Sequence, residues 1–188
     1  ESIVDEVIAK LTVRLASLRV GDPMDKNTDL GAINSRMQLE KIEGYLDAGA
    51  SEGARLHVPG RDRENGLPAA RAREGLPEKG FWCRPCFFSG VQPSHVVARE
   101  EIFGPVLAVM TFRTPEEALT RANNTPYGLA ASIWSENINL ALDVAPDGDA
   151  RLACLDARLD DGSGIMGEVR QSLEIARCRM RLIIDHHA

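Results

Sequence analysis

The sequence lacks any long apolar run. No stretch approaches the ~18 consecutive apolar residues of a bilayer-spanning helix, and the start has no basic, apolar, small-residue order of the secretion-signal type. On these absences neither a membrane span nor a signal peptide is expected, and the protein reads as cytoplasmic. Basic charge is also scarce. With 22 Lys and Arg against 28 Asp and Glu, a formal charge of −6 and no basic stripe, neither nucleic acid nor an anionic membrane surface is expected as a partner. Cysteine is limited to Cys83, Cys86, Cys154 and Cys178, which without a secretion signal read as reduced thiols rather than a disulfide framework. There is no internal repeat, no low-complexity half and no initiator Met, the last of which fits a fragment. What remains is ordinary globular composition: 188 residues, 44% hydrophobic and 27% charged, enough for one domain with a real core plus an appendage.

Helical periodicity opens the chain. Ser2-Ile3-Val4-Asp5 resembles a capping box, and Ile3, Val7, Ile8, Leu11, Leu15 and Leu18 form one apolar stripe ending before Gly21-Asp22-Pro23. Asn34 or Ser35 can cap a second helix that places Met37, Ile42, Tyr45 and Leu46 on one face, with Gly49 and Gly53 closing it. Leu56-His57-Val58 suggests a short strand, and the charged, Gly/Pro/Ala-rich stretch from Gly60 to Gly80 an exposed loop. Phe81-Trp82-Cys83 and Cys86-Phe87-Phe88 read as extended pieces around Pro85, and Val106 to Phe112 as a strand buried on both faces. Thr114-Pro115-Glu116-Glu117 combines an N-cap, a first-turn proline and a capping-box acid. A strand from Leu129 to Trp134 and a helix capped by Ser135 and stopped by Pro146 follow, giving the alternation of a mostly parallel α/β sheet flanked by helices. The character changes at about residue 147, which sets the expected division: residues 1–146 as one partial domain and 147–188 as a tail.

Two neighbouring stretches carry chemistry: Glu100-Glu101-Ile102-Phe103-Gly104-Pro105-Val106, and Arg121-Ala122-Asn123-Asn124-Thr125-Pro126-Tyr127-Gly128-Leu129-Ala130-Ala131. On composition alone, two acids before an apolar strand are a solvated loop, and a Phe between Ile and Gly is core. Together, however, the stretches resemble two signatures of the NAD(P)-dependent aldehyde dehydrogenases. Val20-Gly21-Asp22-Pro23, Thr28-Asp29-Leu30-Gly31, the run from Gln38 to Tyr45, and Glu52-Gly53-Ala54 match family stretches in the same order. The resemblance covers Ser2 to about Pro146 and implies a partial aldehyde-dehydrogenase-like catalytic domain.

It also implies chemistry: a Cys thiolate attacks a small aldehyde, the thiohemiacetal gives hydride to NAD or NADP, and the thioester is hydrolysed with a general-base Glu. By the resemblance, Glu101 accepts hydrogen bonds from the nicotinamide ribose hydroxyls and Phe103 packs beside the nicotinamide; Gln38 and Lys41 match positions that also reach the cofactor. An ionised carboxylate can accept from two vicinal hydroxyls, and a rigid ring buries a flat surface at low entropic cost. Asn123-Asn124 reads as a helix end and turn. No catalytic residue is assigned, because none of the four cysteines lies in the family's nucleophile context; the nucleophile and the pyrophosphate loop would lie upstream of Glu1. The expectation is therefore a fragment of an aldehyde-oxidising enzyme, inactive alone, with another aldehyde dehydrogenase subunit as its protein partner. The alternative is a non-catalytic, aldehyde-dehydrogenase-like structural or partner-binding module.

Several patterns compete. Cys83-Arg84-Pro85-Cys86 has the spacing of half a zinc site or a redox pair, but no second Cys/His pair follows at zinc-ribbon spacing, so core thiols are expected and no metal ligand is assigned. His57 and His95 show no partner in the sequence and are read as structural or surface histidines, and His186-His187 as a solvated tail. Gly162-Ser163-Gly164-Ile165-Met166-Gly167 has the dinucleotide-binding form, with Asp185 lying 23 residues beyond Gly162. Yet the strand that should precede it carries Asp156, Arg158, Asp160 and Asp161, and roughly 40 residues cannot build a nucleotide-binding half-domain. Where the family has a Gly-Thr-Val-Trp-Val-Asn-like strand, this chain has Gly148-Asp149-Ala150-Arg151-Leu152-Ala153, so that strand is expected to be missing. Gly167 to Ser172 faintly echoes a later family segment, as a local frame slip would produce.

Overall fold

The computed structural model describes residues 3–59, 67–127, 131–135, 138–144, 153–157 and 181–182. It is an α/β structure. In chain order the elements are α1 (Val4–Ala16), α2 (Arg36–Ser51), β1 (Arg55–His57), α3 (Leu67–Arg71), β2 (Cys86–Ser89), α4 (Val96–Arg99), β3 (Val106–Val109), α5 (Pro115–Asn123), β4 (Ala131–Ser135), α6 (Ile138–Val144), β5 (Ala153–Ala157) and β6 (Arg181–Leu182).

The main sheet has the order β1-β2-β3-β6, and β4 pairs with β5. β2 runs parallel to β3 and β3 to β6, whereas β1 is antiparallel to β2, so this small sheet is mixed. β2 shows why its residues form a central strand. Its alternating side chains are buried on both sides: Cys86 and Phe88 join Ile42 and Leu46 of α2 in one cluster, while Phe87 joins Leu107 and Val109 of β3 and Leu11 and Leu15 of α1 in another. The α1 stripe and the α2 stripe therefore cover opposite faces of the same strands. Phe87 and Phe88 are fully buried, each contributing about 1.5–3 kcal/mol of apolar transfer.

Local readings depart from the structure where tertiary contacts decide. α1 is capped at Ile3, with no side-chain cap bond, and Ser2 lies outside the described residues. Met37 does not share the buried face of α2; it is 65% exposed. Gly49 does not close α2. It lies inside the helix, where an added Cβ would sit 2.8 Å from Phe88 Cζ and 2.9 Å from Val97 Cγ1, so its lack of a side chain is a packing requirement. Gly53, at φ +94°, does supply the left-handed conformation just past the helix end. Within the expected loop from Gly60 to Gly80, α3 forms and buries Ala69 and Ala70, fastened by Arg71 to Asp47 of α2 at 2.7 Å. Residues 60–66 lie outside the described residues.

The tail carries the strand that its sequence made unexpected. β5 lies in parallel register with β4, from Ala131 opposite Ala153 to Ser135 opposite Ala157. Ala153, Cys154 and Leu155 supply enough apolar and β-compatible character for this short pairing. The glycine-rich Gly162–Gly167 segment, the helix-like 168–179 stretch, Pro146 and His186-His187 lie outside the described residues.

Candidate functional site

The candidate site begins at the first turn of α2. Ser35 Oγ accepts from Gln38 N at 3.2 Å, which fixes the helix start and places Gln38 and Ile42 one turn apart on a shared face. Both meet the loop between α4 and β3. Gln38 Nε2 donates to Phe103 O at 3.0 Å, and the Gly104 backbone lies directly against Ile42. A Cβ at Gly104 would be 2.5 Å from Ile42 Cδ1, closer than packed carbons approach. Within the loop, Gly104 N donates to Ile102 O and Val106 N to Gly104 O, both at 2.8 Å, while Cys86 N donates to Pro105 O at 3.0 Å. The tight loop is thereby joined both to helix and to sheet.

The result is an alternation. Ile102 packs against the core, but Phe103 is 55% exposed despite its large apolar ring. Glu101 is half-buried on the same loop, and Lys41 is exposed on α2. Among the residues singled out from the sequence, the structure joins Gln38 directly to Phe103, through the backbone carbonyl rather than the ring.

The second motif is built by α5. Thr114 Oγ1 accepts from Glu117 N at 3.3 Å, with Pro115 in the first turn. Glu117 Oε2 accepts from Arg113 N at 2.8 Å, and Glu117 Oε1 pairs with Arg121. The Arg113 amide first, and then the Arg121 charge, hold the Glu117 carboxyl below the usual carboxylate range. Arg121 also donates to Thr111 O, so the motif's first residue anchors the helix to the preceding strand end. α5 ends at Asn123, and Thr125 N donates to Asn123 O at 2.8 Å.

Past that turn, the two motifs touch. Thr125 Oγ1 donates to Arg99 O and Tyr127 Oη donates to Glu100 Oε2, each at 3.3 Å. Tyr45, from the same face of α2 that carries Ile42, completes the cluster: burial pushes its phenol above the ordinary value, and nearby Glu100 and Tyr127 push it further. Glu100 and Tyr127 lie in the two motifs and Tyr45 on the expected face of α2, but in the sequence none of the three has a role of its own. Each is unremarkable locally, and only their convergence from three segments gives them a role.

The pattern of the Aldehyde dehydrogenase family matches residues 1–151 of the 188. The chain belongs to the aldehyde dehydrogenase family. It is similar to Aldehyde dehydrogenase B of Escherichia coli, 44% identical over 141 residues that cover 75% of this chain and 26% of that protein. Among solved structures, an NAD-dependent aldehyde dehydrogenase from Sinorhizobium meliloti superposes with a TM-score of 0.72 at 36% identity, covering 85% of this chain and 29% of that one. An NAD+ complex of aldehyde dehydrogenase from Bacillus cereus gives 0.71 at 31% identity, covering 87% and 31%. The chain thus spans about a quarter to a third of the aldehyde dehydrogenases it matches.

A nucleophilic cysteine needs an accessible, activated thiolate, and Cys83 and Cys86 have the opposite environment. Both are buried in the core, and the neighbouring Cys83 thiol together with burial pushes Cys86 well above the ordinary thiol range. Cys83 Sγ donates to Arg84 O at 3.5 Å. Among the described residues no group of three His, Cys, Asp or Glu side chains is placed to hold a metal ion. Cys178 lies outside the described residues, and Cys154 falls in β5.

The two internal histidines do have partners. His57 Nε2 is 2.8 Å from Ser89 Oγ, and its ring stacks on Phe87 with centroids 4.4 Å apart and planes 3° from parallel. His95 is buried, and its Nδ1 accepts from Gln92 N at 3.3 Å. Both are built into the frame of the fold. Among the described residues, no helix is long and apolar enough to cross a membrane.

Proposed function

We propose that residues 1–146 form part of the catalytic domain of an NAD(P)-dependent aldehyde dehydrogenase, which oxidises a small aldehyde to a carboxylic acid, and that residues 147–188 form a divergent tail. In this reading the chain supplies one wall of the nicotinamide-ribose site and no nucleophile. A bound nicotinamide would supply the hydride acceptor. The carboxylate of Glu101 would accept from the ribose hydroxyls and orient the sugar, the Phe103 ring would give the adjacent apolar surface, and Gln38 and Lys41 would stand along the rim on α2.

The observation that carries this reading is the outward-held Phe103. Phe103 is 55% exposed, and Gln38, Ile42 and Pro105 fix the backbone that presents it. Rigid support behind an exposed ring next to a carboxylate suits a flat ligand with vicinal hydroxyls.

The test is a titration of the 15N-labelled chain with NADH, followed by amide shifts. Millimolar binding is expected, with shifts concentrated at residues 38–41 and 101–104. Glu101→Gln and Phe103→Leu should each weaken it about tenfold, as loss of a charged hydrogen bond or a stacked contact predicts. Aldehyde and NAD+ added to the same chain should give no NADH. Shifts located elsewhere would overturn the site assignment, and aldehyde-dependent NADH formation would overturn the assignment of a chain without a nucleophile.

A further inference from the structure

Glu100 and Glu101 are adjacent acids with different surroundings. The backbone at Glu100 is extended, with φ −87° and ψ 152°. Beyond it the chain turns tightly at Phe103, where Gly104 N donates to Ile102 O at 2.8 Å. Glu100 is held by Tyr127 Oη, Ile102 packs against the core, and Phe103 emerges into solvent. Glu100 and Ile102 thus fasten the loop, while Glu101 and Phe103 are the pair assigned to the nucleotide.

We infer that Glu100, gripped by Tyr127, is a positioning residue that ties the loop after α5 to the loop before β3 and thereby aims Glu101 and Phe103 at the nicotinamide ribose. The inference rests on the proposed nucleotide site and deepens it. Three features converge on it. Glu101 lies between two fixed points, the Glu100–Tyr127 bond on one side and the Gln38–Phe103 carbonyl bond on the other. The tie is doubled one residue earlier, where Thr125 Oγ1 donates to Arg99 O at 3.3 Å. Tyr45 packs from α2 against the core, near enough for the charge of Glu100 to push its phenol upward.

At 3.3 Å the Tyr127–Glu100 contact is a long hydrogen bond, and it acts together with the Thr125–Arg99 bond to join the two loops. A hydrophobic residue at position 100 would leave the Tyr127 hydroxyl without that acceptor and remove one of the two bonds that join the loops.

The experiment uses Tyr127→Phe, Glu100→Ala and Glu100→Gln in the full chain, Gln being able to accept the same hydrogen bond. Without nucleotide, amide exchange at residues 101–104 should accelerate about 2- to 10-fold in Tyr127→Phe and Glu100→Ala, as loss of one hydrogen bond predicts, and remain near the parent rate in Glu100→Gln. Exchange within α2 should stay constant in all three. NADH affinity should follow the same order, weakened in the first two variants and restored in Glu100→Gln. Unchanged exchange at 101–104 in Tyr127→Phe overturns the inference, as does a Glu100→Gln variant that behaves like Glu100→Ala. Coupled exchange with no NADH-induced shift at 101–104 in any variant keeps the tie and overturns the nucleotide site it was assigned to serve. The two failures are therefore distinct.

Discussion

At Gly104 a missing side chain lets the loop reach α2. Ile42 is fully buried, so its Cδ1 has little room to retreat from a new methyl group 2.5 Å away. Gly104→Ala should therefore cost about 1–3 kcal/mol, in the range for overpacking a filled site. Ile42→Val added to it should recover part of the loss, because removing Cδ1 clears the nearest clash. Urea denaturation of the two variants against the parent measures both effects, and equal instability with and without Ile42→Val would refute the contact as its source. The same residues mark what was legible at this scale. Glu101 and Phe103 stand in a motif whose order names their family, whereas Glu100 looks like a solvated acid until Tyr127, 27 residues later, is brought against it.

Among the elements, α5 shows local signals agreeing with the fold. Thr114, Pro115 and Glu117 act within one turn, so the helix start could be read from four letters. Thr114→Ala should destabilise the protein by about 1 kcal/mol, while Thr114→Ser should be nearly neutral, as thermal melting would show. Comparable losses in both would mean that the cap oxygen is not what matters. α3 gave no such notice: five residues form it, and it is held by Arg71 reaching Asp47 and Glu43 O on α2. Gly49 was misread for a related reason. Its place is set by Phe88, which lies 39 residues further along the chain. The parallel pairing of β2 and β3 was legible from their continuous apolar runs, but nothing local marked β1 as antiparallel. β5 was missed because Asp156 masks a short run whose pairing is supplied by β4.

For the whole molecule, acid stability has an identifiable source. Burial first, and then the charge of Arg55, lower the pKa of His57 below its ordinary 6.5. The unfolded chain thus binds its proton more readily, so the stability present above 6.5 declines as pH falls through the lowered folded value. Asp29, Glu116 and Glu117 are lowered as well, but their contributions are lost in the more acidic carboxylate range. Denaturation midpoints should therefore fall between pH 7 and 5, and His57→Gln should flatten that decline; an unchanged slope in the variant would remove His57 as its cause.

The parallel register of β2 and β3 has a further consequence, for insertions and deletions. Cys86 is opposite Val106, and Pro105 is bonded back to Cys86, so the chain between the strands has a metered length. Removing one residue between Phe103 and Val106 would exchange the two faces of β3 and point Leu107 and Val109 at the wrong cluster. Removing two would preserve the faces but draw the ring of Phe103 about 7 Å along the strand direction. The spacing between motif and strand is therefore a ruler: sequence may drift on either side of it, but its length cannot.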